Sequence, residues 1–369
     1  MIKYFCTALL MLAGIFEMSA CTSAIISGKL TENHRPILWK HRDTSCLDNV
    51  VEIIKGEDGQ IEYAALFNST DTARTEAWLG FNKAGFAIMN TASYNLKNDT
   101  ITEMDNEGVV MAEALATCCT VDDFEQLLKE MPKPLRVEAN FGVIDAFGGA
   151  AYFETDNWSY KRFNVDDTEE GYLVRTNYSK SGREDEGYGY IREATAEYLL
   201  KDYIEDKKVT PMVFTEDISR SFYHSLIDDD FADSEVTWVV DRDFIPRHSS
   251  SASVAIEGVE VGQNPLATTM WTVLGYPPCG VVEPIWLDGT GVPEGLKADK
   301  ETGKAPLCEQ ANELKKSVFS LERDNGKNYL NIKVLYNNEG TGICQTNRIK
   351  SLEKYKVGYD HVEKLLKKK

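Results

Sequence analysis

Short runs of apolar and β-branched residues, not helical stripes, dominate the chain from Ser23 to Thr91. Ser23 to Leu30, Pro36 to His41, Val50 to Lys55 and Ile61 to Phe67 are brief, and Gly, Asn and Asp separate them. That pattern predicts strands. Glu76 to Asn82 and Gly85 to Thr91 predict two more, joined by a hairpin turn at Asn82-Lys83-Ala84-Gly85. Helical spacing enters at Val109 to Cys118. It returns after Thr120-Val121-Asp122-Asp123, a capping box followed by Phe124, Leu127 and Leu128 and stopped by Pro132.

A second β block runs from Ala139 to Asn177: Phe141, Val143, Asp145 and Phe147 alternate, Gly148-Gly149 interrupts, and Ala151 to Glu154 and Trp158 to Phe163 follow. Tyr188 to Ile204 predicts an amphipathic helix with Ile191, Ala194, Tyr198 and Leu199 on one face. Val213 to Asp228 predicts another helix. Thr237 to Val240, Ser251 to Ile256 and Thr268 to Leu274 read as returning strands, and Leu307 to Phe319 and Ser351 to Lys369 as late helices. Strands and helices come in blocks, which favours a layered α+β fold over a doubly wound parallel sheet. With no repeat and no linker, one domain over 21–369 is expected.

Among the 369 residues, 43% are hydrophobic and 10% aromatic, enough for a large packed core. The net charge of −19 argues against nucleic acid or an anionic membrane as a partner; Lys364 and Lys367 to Lys369 read as a solvated helix end. The chain has eight cysteines; losing Cys6 with a leader leaves an odd number, so at least one thiol stays unpaired in an exported protein. Cys118-Cys119 are too close for an ordinary disulfide, and the five histidines show no i, i+4 pairing. A metal site is not expected. No phosphate loop, Gly-x-Gly-x-x-Gly or Gly-x-Ser-x-Gly occurs, so no nucleotide cofactor has support.

Met1 to Ala20 has the form of a signal peptide: Lys3 supplies the positive start, Thr7 to Phe16 the apolar stretch and Ser19-Ala20 the small residues before a cut. The apolar stretch is too short for a stable bilayer span. Cleavage after Ala20 leaves Cys21 first, with a thiol and a free α-amine on one residue. An α-amine titrates at about 7.7–8.0 and a thiol near 8.5, so the amine can take the thiol proton without a histidine. Met18-Ser19-Ala20-Cys21 is also close to a bacterial lipobox. Lipidation would block sulfur and amine together and make Cys21 only a tether. Taken alone, the leader favours lipidation.

The downstream segments reverse that preference. Cys21-Thr22-Ser23-Ala24-Ile25 followed by Leu38-Trp39-Lys40-His41-Arg42-Asp43 resembles the start of N-terminal-nucleophile (Ntn) hydrolases of the choloylglycine hydrolase and penicillin V acylase type. Acid ceramidase and the acyl-coenzyme A:6-aminopenicillanic acid acyltransferases share that opening. Their Gly-Arg-Asn-x-Asp segment is matched by Trp39 to Asp43, so Asp43 takes the place of the carboxylate that holds the α-amine. Lys40 replaces the usual arginine and loses its planar fork; Arg42, two residues on, is expected on the other face of a regular strand. Gly80-Phe81-Asn82-Lys83-Ala84-Gly85-Phe86-Ala87-Ile88 is similar to the family's Gly-Met-Asn-Glu-x-Gly-Leu-x-Ile hairpin, which leads to Asn90 as the asparagine near the oxyanion site. Thr176-Asn177-Tyr178 matches the acid ceramidase branch, with Asn177 as oxyanion donor, and Gly148 to Glu154 looks like the family's Gly-Gly-x-x-Tyr-x-Glu strand. Arg247, in a Ser-rich segment, does not align cleanly and receives no role.

The resemblance implies a four-layer αββα Ntn-hydrolase sandwich and an exported, periplasmic or secreted enzyme. It would cleave linear amides of small N-acylated molecules through a thioester on Cys21, without a cofactor. The catalytic set is Cys21, Asp43, Asn177, Asn90 and Lys40. Two alternatives remain open: the same site passing its acyl group to an amine, and a lipid-anchored surface or binding protein. Cys46, Cys118 and Cys119 read as core residues or disulfide partners. The identity of the acyl amide is not legible.

Overall fold

The computed structural model describes residues 20–321 and 325–367, so all of the expected leader except Ala20 lies outside the described residues. In chain order the first strands are β1 (Thr22–Ile26), β2 (Ile37–Asp43), β3 (Asn49–Ile54), β4 (Tyr63–Asn68), β5 (Leu79–Asn82) and β6 (Ala87–Ala92). Helices α1 (Glu107–Thr117) and α2 (Val121–Glu130) follow, then β7 (Ala139–Ile144), β8 (Ala150–Thr155), β9 (Tyr160–Asn164) and β10 (Tyr172–Arg175). After α3 (Tyr190–Glu205) come the short strands β11 (Tyr223–His224), β12 (Asp229–Asp230) and β13 (Trp238–Val240). The rest are β14 (Ser250–Glu257), β15 (Thr269–Leu274), β16 (Glu283–Ile285), α4 (Pro306–Val318), β17 (Tyr329–Asn331), α5 (Ile332–Leu335) and α6 (Ile343–Leu366).

Two antiparallel sheets form the centre. One has the order β10-β1-β2-β14-β15-β16, the other is a meander of β3 to β9 in sequence order. They pack face to face where β1 and β2 meet β6 and β7. Ile25 and Leu38 from the first sheet share a core with Met89 and Ile144 from the second. Outside the meander, Phe124 of α2 packs edge-on against Phe141 and Phe153. Outside the other sheet, Trp271 stacks on Tyr355 of α6 at 4.3 Å, and α3 covers β10. The four-layer αββα arrangement expected from the sequence is the one the chain adopts.

The predicted hairpin turn is closed by its own side chains. Asn82 Oδ1 accepts the Ala84 and Phe86 amides at 3.1 and 3.2 Å, and Gly85 sits at φ 84°, a left-handed conformation that favours glycine. The Thr120 capping box is present, with its hydroxyl accepting from the Asp123 amide at 3.0 Å.

Two expectations fail. The helix predicted over Val213 to Asp228 is instead one π-helical turn (Val213–Asp217), a 3-10 turn (Ile218–Arg220) and the β11–β12 hairpin. Its apolar residues are buried by neighbouring layers rather than along one helical stripe, so periodicity misleads there. The second concerns α3, whose buried face is Arg192, Glu193, Thr195, Ala196 and Leu200, while Tyr198 is 56% exposed. The stripe chosen by apolarity is the wrong face, because Arg192 and Glu193 turn inward to polar contacts, Arg192 to the Cys21 carbonyl and Glu193 to the Tyr178 hydroxyl.

Candidate active site

Strand parity sorts the site into two sides. On β2, Leu38 points between the sheets, so Lys40 and Arg42 do too; Trp39, His41 and Asp43 point the other way, toward the helices. The expectation that Arg42 faces away from Lys40 is therefore corrected: side chains repeat every two residues, and both line one cavity with Cys21. That cavity has a volume of about 630 Å³, and Trp78, Asn90, Tyr94 and Met104 line it as well. Cys21 is 3% exposed at the head of β1, which lies between β10 and β2. Its Sγ approaches the Asp43 carbonyl at 3.8 Å.

Inside the cavity Lys40 Nζ donates to Asn90 Oδ1 at 2.7 Å and to the Trp78 carbonyl at 3.0 Å. Burial pushes the Lys40 ammonium down to about 8, with the Cys21 sulfur opposing that shift. Arg42 lies over the Trp78 ring at 5.0 Å and donates to Asn49 and Asn68 at 2.5 and 2.9 Å. Glu107, at the N-terminus of α1, also lines the cavity, and burial raises its carboxyl to about 7.

On the helix-facing side, Asp43 Oδ2 accepts from Arg247 Nε at 3.1 Å and from Arg247 Nη2, and Oδ1 accepts the Ser250 hydroxyl at 2.6 Å. Since that hydroxyl spends its proton on Asp43, His41 must donate to it through Nε2 at 2.8 Å. Burial lowers His41 to about 4, so the ring is neutral near pH 7. Arg247, given no role by the sequence, is thus the main partner of Asp43. It also donates to the carbonyl of Ala20.

Asn177 follows β10 and is fully buried; its backbone pairs with Tyr188 through two 3.1 Å bonds. Its Oδ1 accepts from Arg192 Nη2 at 2.7 Å and its Nδ2 donates to the Ala92 carbonyl at 2.9 Å. Arg192 was invisible to sequence reasoning. It is 1% exposed and donates through Nη1 to Cys21 O at 2.6 Å, Thr22 Oγ1 at 2.9 Å and Ala20 O at 3.2 Å. Burial and the like charge of Arg247 push it down to about 9. The signal available in the sequence was a basic residue inside a helix packed on the Thr-Asn-Tyr loop.

β1 is held in register by its neighbours. Ser23 Oγ meets Tyr152 Oη at 2.8 Å, and Arg175 Nε donates to Glu154 Oε1 at 2.8 Å, so the residues of the Gly-Gly-x-x-Tyr-x-Glu segment brace the strands that carry Cys21 and Asn177. Cys21, Lys40 and Asn90 meet at the cavity. Asp43 and Asn177 reach the backbone around Cys21 through Arg247 and Arg192. Cys46 lines the cavity mouth, and Cys118 is buried in the core. Among the described residues Cys46, Cys118, Cys119, Cys279, Cys308 and Cys344 are thiols outside any disulfide. Among the described residues no three His, Cys, Asp or Glu side chains cluster as metal ligands, and no helix is long and apolar enough to cross a membrane.

Among solved structures, the chain is similar to the N-acylethanolamine-hydrolyzing acid amidase ortholog of Caenorhabditis elegans. The identity is 11%, 64% of this chain and 92% of that chain are covered, and the TM-score is 0.41. A mutant conjugated bile acid hydrolase from Clostridium perfringens shares 10% identity over 73% of this chain and 93% of that chain, with a TM-score of 0.44. Penicillin V acylase from Agrobacterium tumefaciens shares 10% over 73% and 87%, with a TM-score of 0.41. Each is similar in fold alone. No protein-family model and no curated protein matches the chain.

Proposed function

We propose that the protein is an exported cysteine hydrolase of linear amides whose nucleophile is Cys21, made N-terminal by cleavage after Ala20. The observation that carries this is the position of Cys21: 3% exposed, at the head of a strand flanked on both sides, with its sulfur against a cavity. A lipid on that sulfur would have to lie along a cavity lined by the charged side chains of Lys40 and Arg42. This favours the nucleophile over the tether.

In the proposed reaction the Cys21 thiol gives its proton to its own α-amine and attacks the amide carbonyl. Asp43, fixed by Arg247 and Ser250, holds the resulting ammonium. Asn177 is turned by Arg192 so that its NH2 group faces the Ala92 carbonyl at the cavity wall. It serves as oxyanion donor, a contact typically worth about 2.7–4 kcal/mol. Lys40 and Asn90 add fixed positive and polar groups beside the sulfur. The ammonium protonates the leaving amine as the C–N bond breaks, leaving a thioester; water then adds to it, the amine takes the water proton, and the acid departs with the thiolate restored. Incubating the chain that starts at Cys21 with a panel of N-acyl amides tests this: release of free amine by that chain and none by Cys21→Ala supports it. Equal release by both refutes it.

A further inference from the structure

Arg192 is a buried charge with no carboxylate among its hydrogen-bond partners. Its four acceptors, Ala20 O, Cys21 O, Thr22 Oγ1 and Asn177 Oδ1, are all neutral, and its Nε is buried without a partner. Asp43 and Asp243 act on it only through space, and a buried guanidinium that touches no counter-charge is unfavourable. Arg247 donates to the same Ala20 carbonyl while pairing with Asp43. Two guanidiniums therefore converge on one oxygen. In the chain that begins at Cys21, that oxygen is gone.

The space beside it carries a small excess of positive charge. Ala20 lies in a groove of about 300 Å³ lined by Asp241, Arg242, Asp243, Arg247 and Lys327. Asp241 is engaged by the His248 amide at 2.7 Å. With Arg192 and Asp43 included, four cations face three carboxylates, and the new α-amine adds a further positive group. Guanidinium pairs bind carboxylates strongly because the planar donors match the two oxygens. We infer that, in the chain starting at Cys21, Arg192 and Arg247 form a binding site for a carboxylate where the Ala20 carbonyl lies. This rests on the cleavage proposed above. The carboxylate has two natural sources: the new C-terminus of the leader at Ala20, or the amine half of an N-acyl amino acid, whose nitrogen must come to rest beside the Cys21 amine.

The test uses chain 21–369 made from an initiator methionine that aminopeptidase removes, with Cys21→Ala so that no probe is consumed. Calorimetric titrations compare the peptide of residues 17–20 as its free acid, the same peptide as its C-terminal amide, and N-acetylglycine. At least one free acid should bind at least tenfold more tightly than the amide. A tighter leader peptide names the first source, a tighter N-acetylglycine the second. The same chain extended by residue 20 should bind neither acid, its own carbonyl filling the site. Arg247→Gln, or Arg247→Lys if the first does not fold, should weaken the acid at least tenfold. Acid and amide binding alike, no saturable binding, or full affinity in a folded Arg247 variant overturns the inference. Binding without turnover in the unsubstituted chain would leave the carboxylate site standing and sink the hydrolase proposal, and turnover without binding would do the reverse.

Discussion

Lys40 Nζ donates to Asn90 Oδ1 at 2.7 Å, joining β2 of one sheet to β6 of the other directly at the Cys21 cavity. A buried ammonium in that place titrates at about 8, against 10.5 for a free lysine. Between those values the unfolded chain binds more protons than the folded one, so stability should rise with pH from about 8 to 10.5. A shift of that size corresponds to up to about 3 kcal/mol. Urea unfolding of the native chain and of Lys40→Met at pH 8, 9 and 10 isolates this group: the rise in the native chain should exceed that in the variant.

Asn177 is fully buried and its amide is oriented by Arg192. If it stabilises the oxyanion, Asn177→Ala should lower kcat by about 10²–10³ with a much smaller change in KM. Steady-state kinetics on any amide the native enzyme hydrolyses gives the answer; a variant changed only in KM would assign Asn177 to substrate binding.

Glu107 lines the cavity and its carboxyl is raised by burial to about 7. It therefore changes charge across the neutral range, and KM should vary with pH between about 6 and 8. Glu107→Gln should flatten that variation. The sign for stability is the reverse of Lys40: the folded state keeps the proton longer, so this group's contribution falls as pH rises from 4.5 to about 7.

Thr120 caps α2, with its hydroxyl on the Asp123 amide, and is not among the residues lining the Cys21 cavity. Thr120→Ala should cost about 1 kcal/mol and leave kcat unchanged. Denaturant melts and an activity assay on the same sample check both halves.

Much of this was legible in the sequence because its causes are local. The capping box at Thr120 and the Asn82–Gly85 turn depend on residues a few positions apart, and both appear where the spacing places them. The strands β7 and β8 follow from alternation and a Gly-Gly break. What escaped depends on distant partners. Arg192 is buried because Cys21, Thr22 and Asn177 supply its acceptors, and no helical pattern reports such a debt. The Lys40–Asn90 contact exists only once two sheets stack. Arg42 was misplaced by a slip in strand parity, although the twofold repeat itself puts it beside Lys40. The region of Val213 to Asp228 defeats periodicity because its apolar residues are covered from several directions.

Intact mass of the protein recovered after export tests the central claim most directly. The mass of residues 21–369 with nothing added is predicted, which means a bare thiol and a free amine on Cys21. A diacylglyceryl or acyl addition on Cys21, or a chain beginning at any other residue, would contradict it.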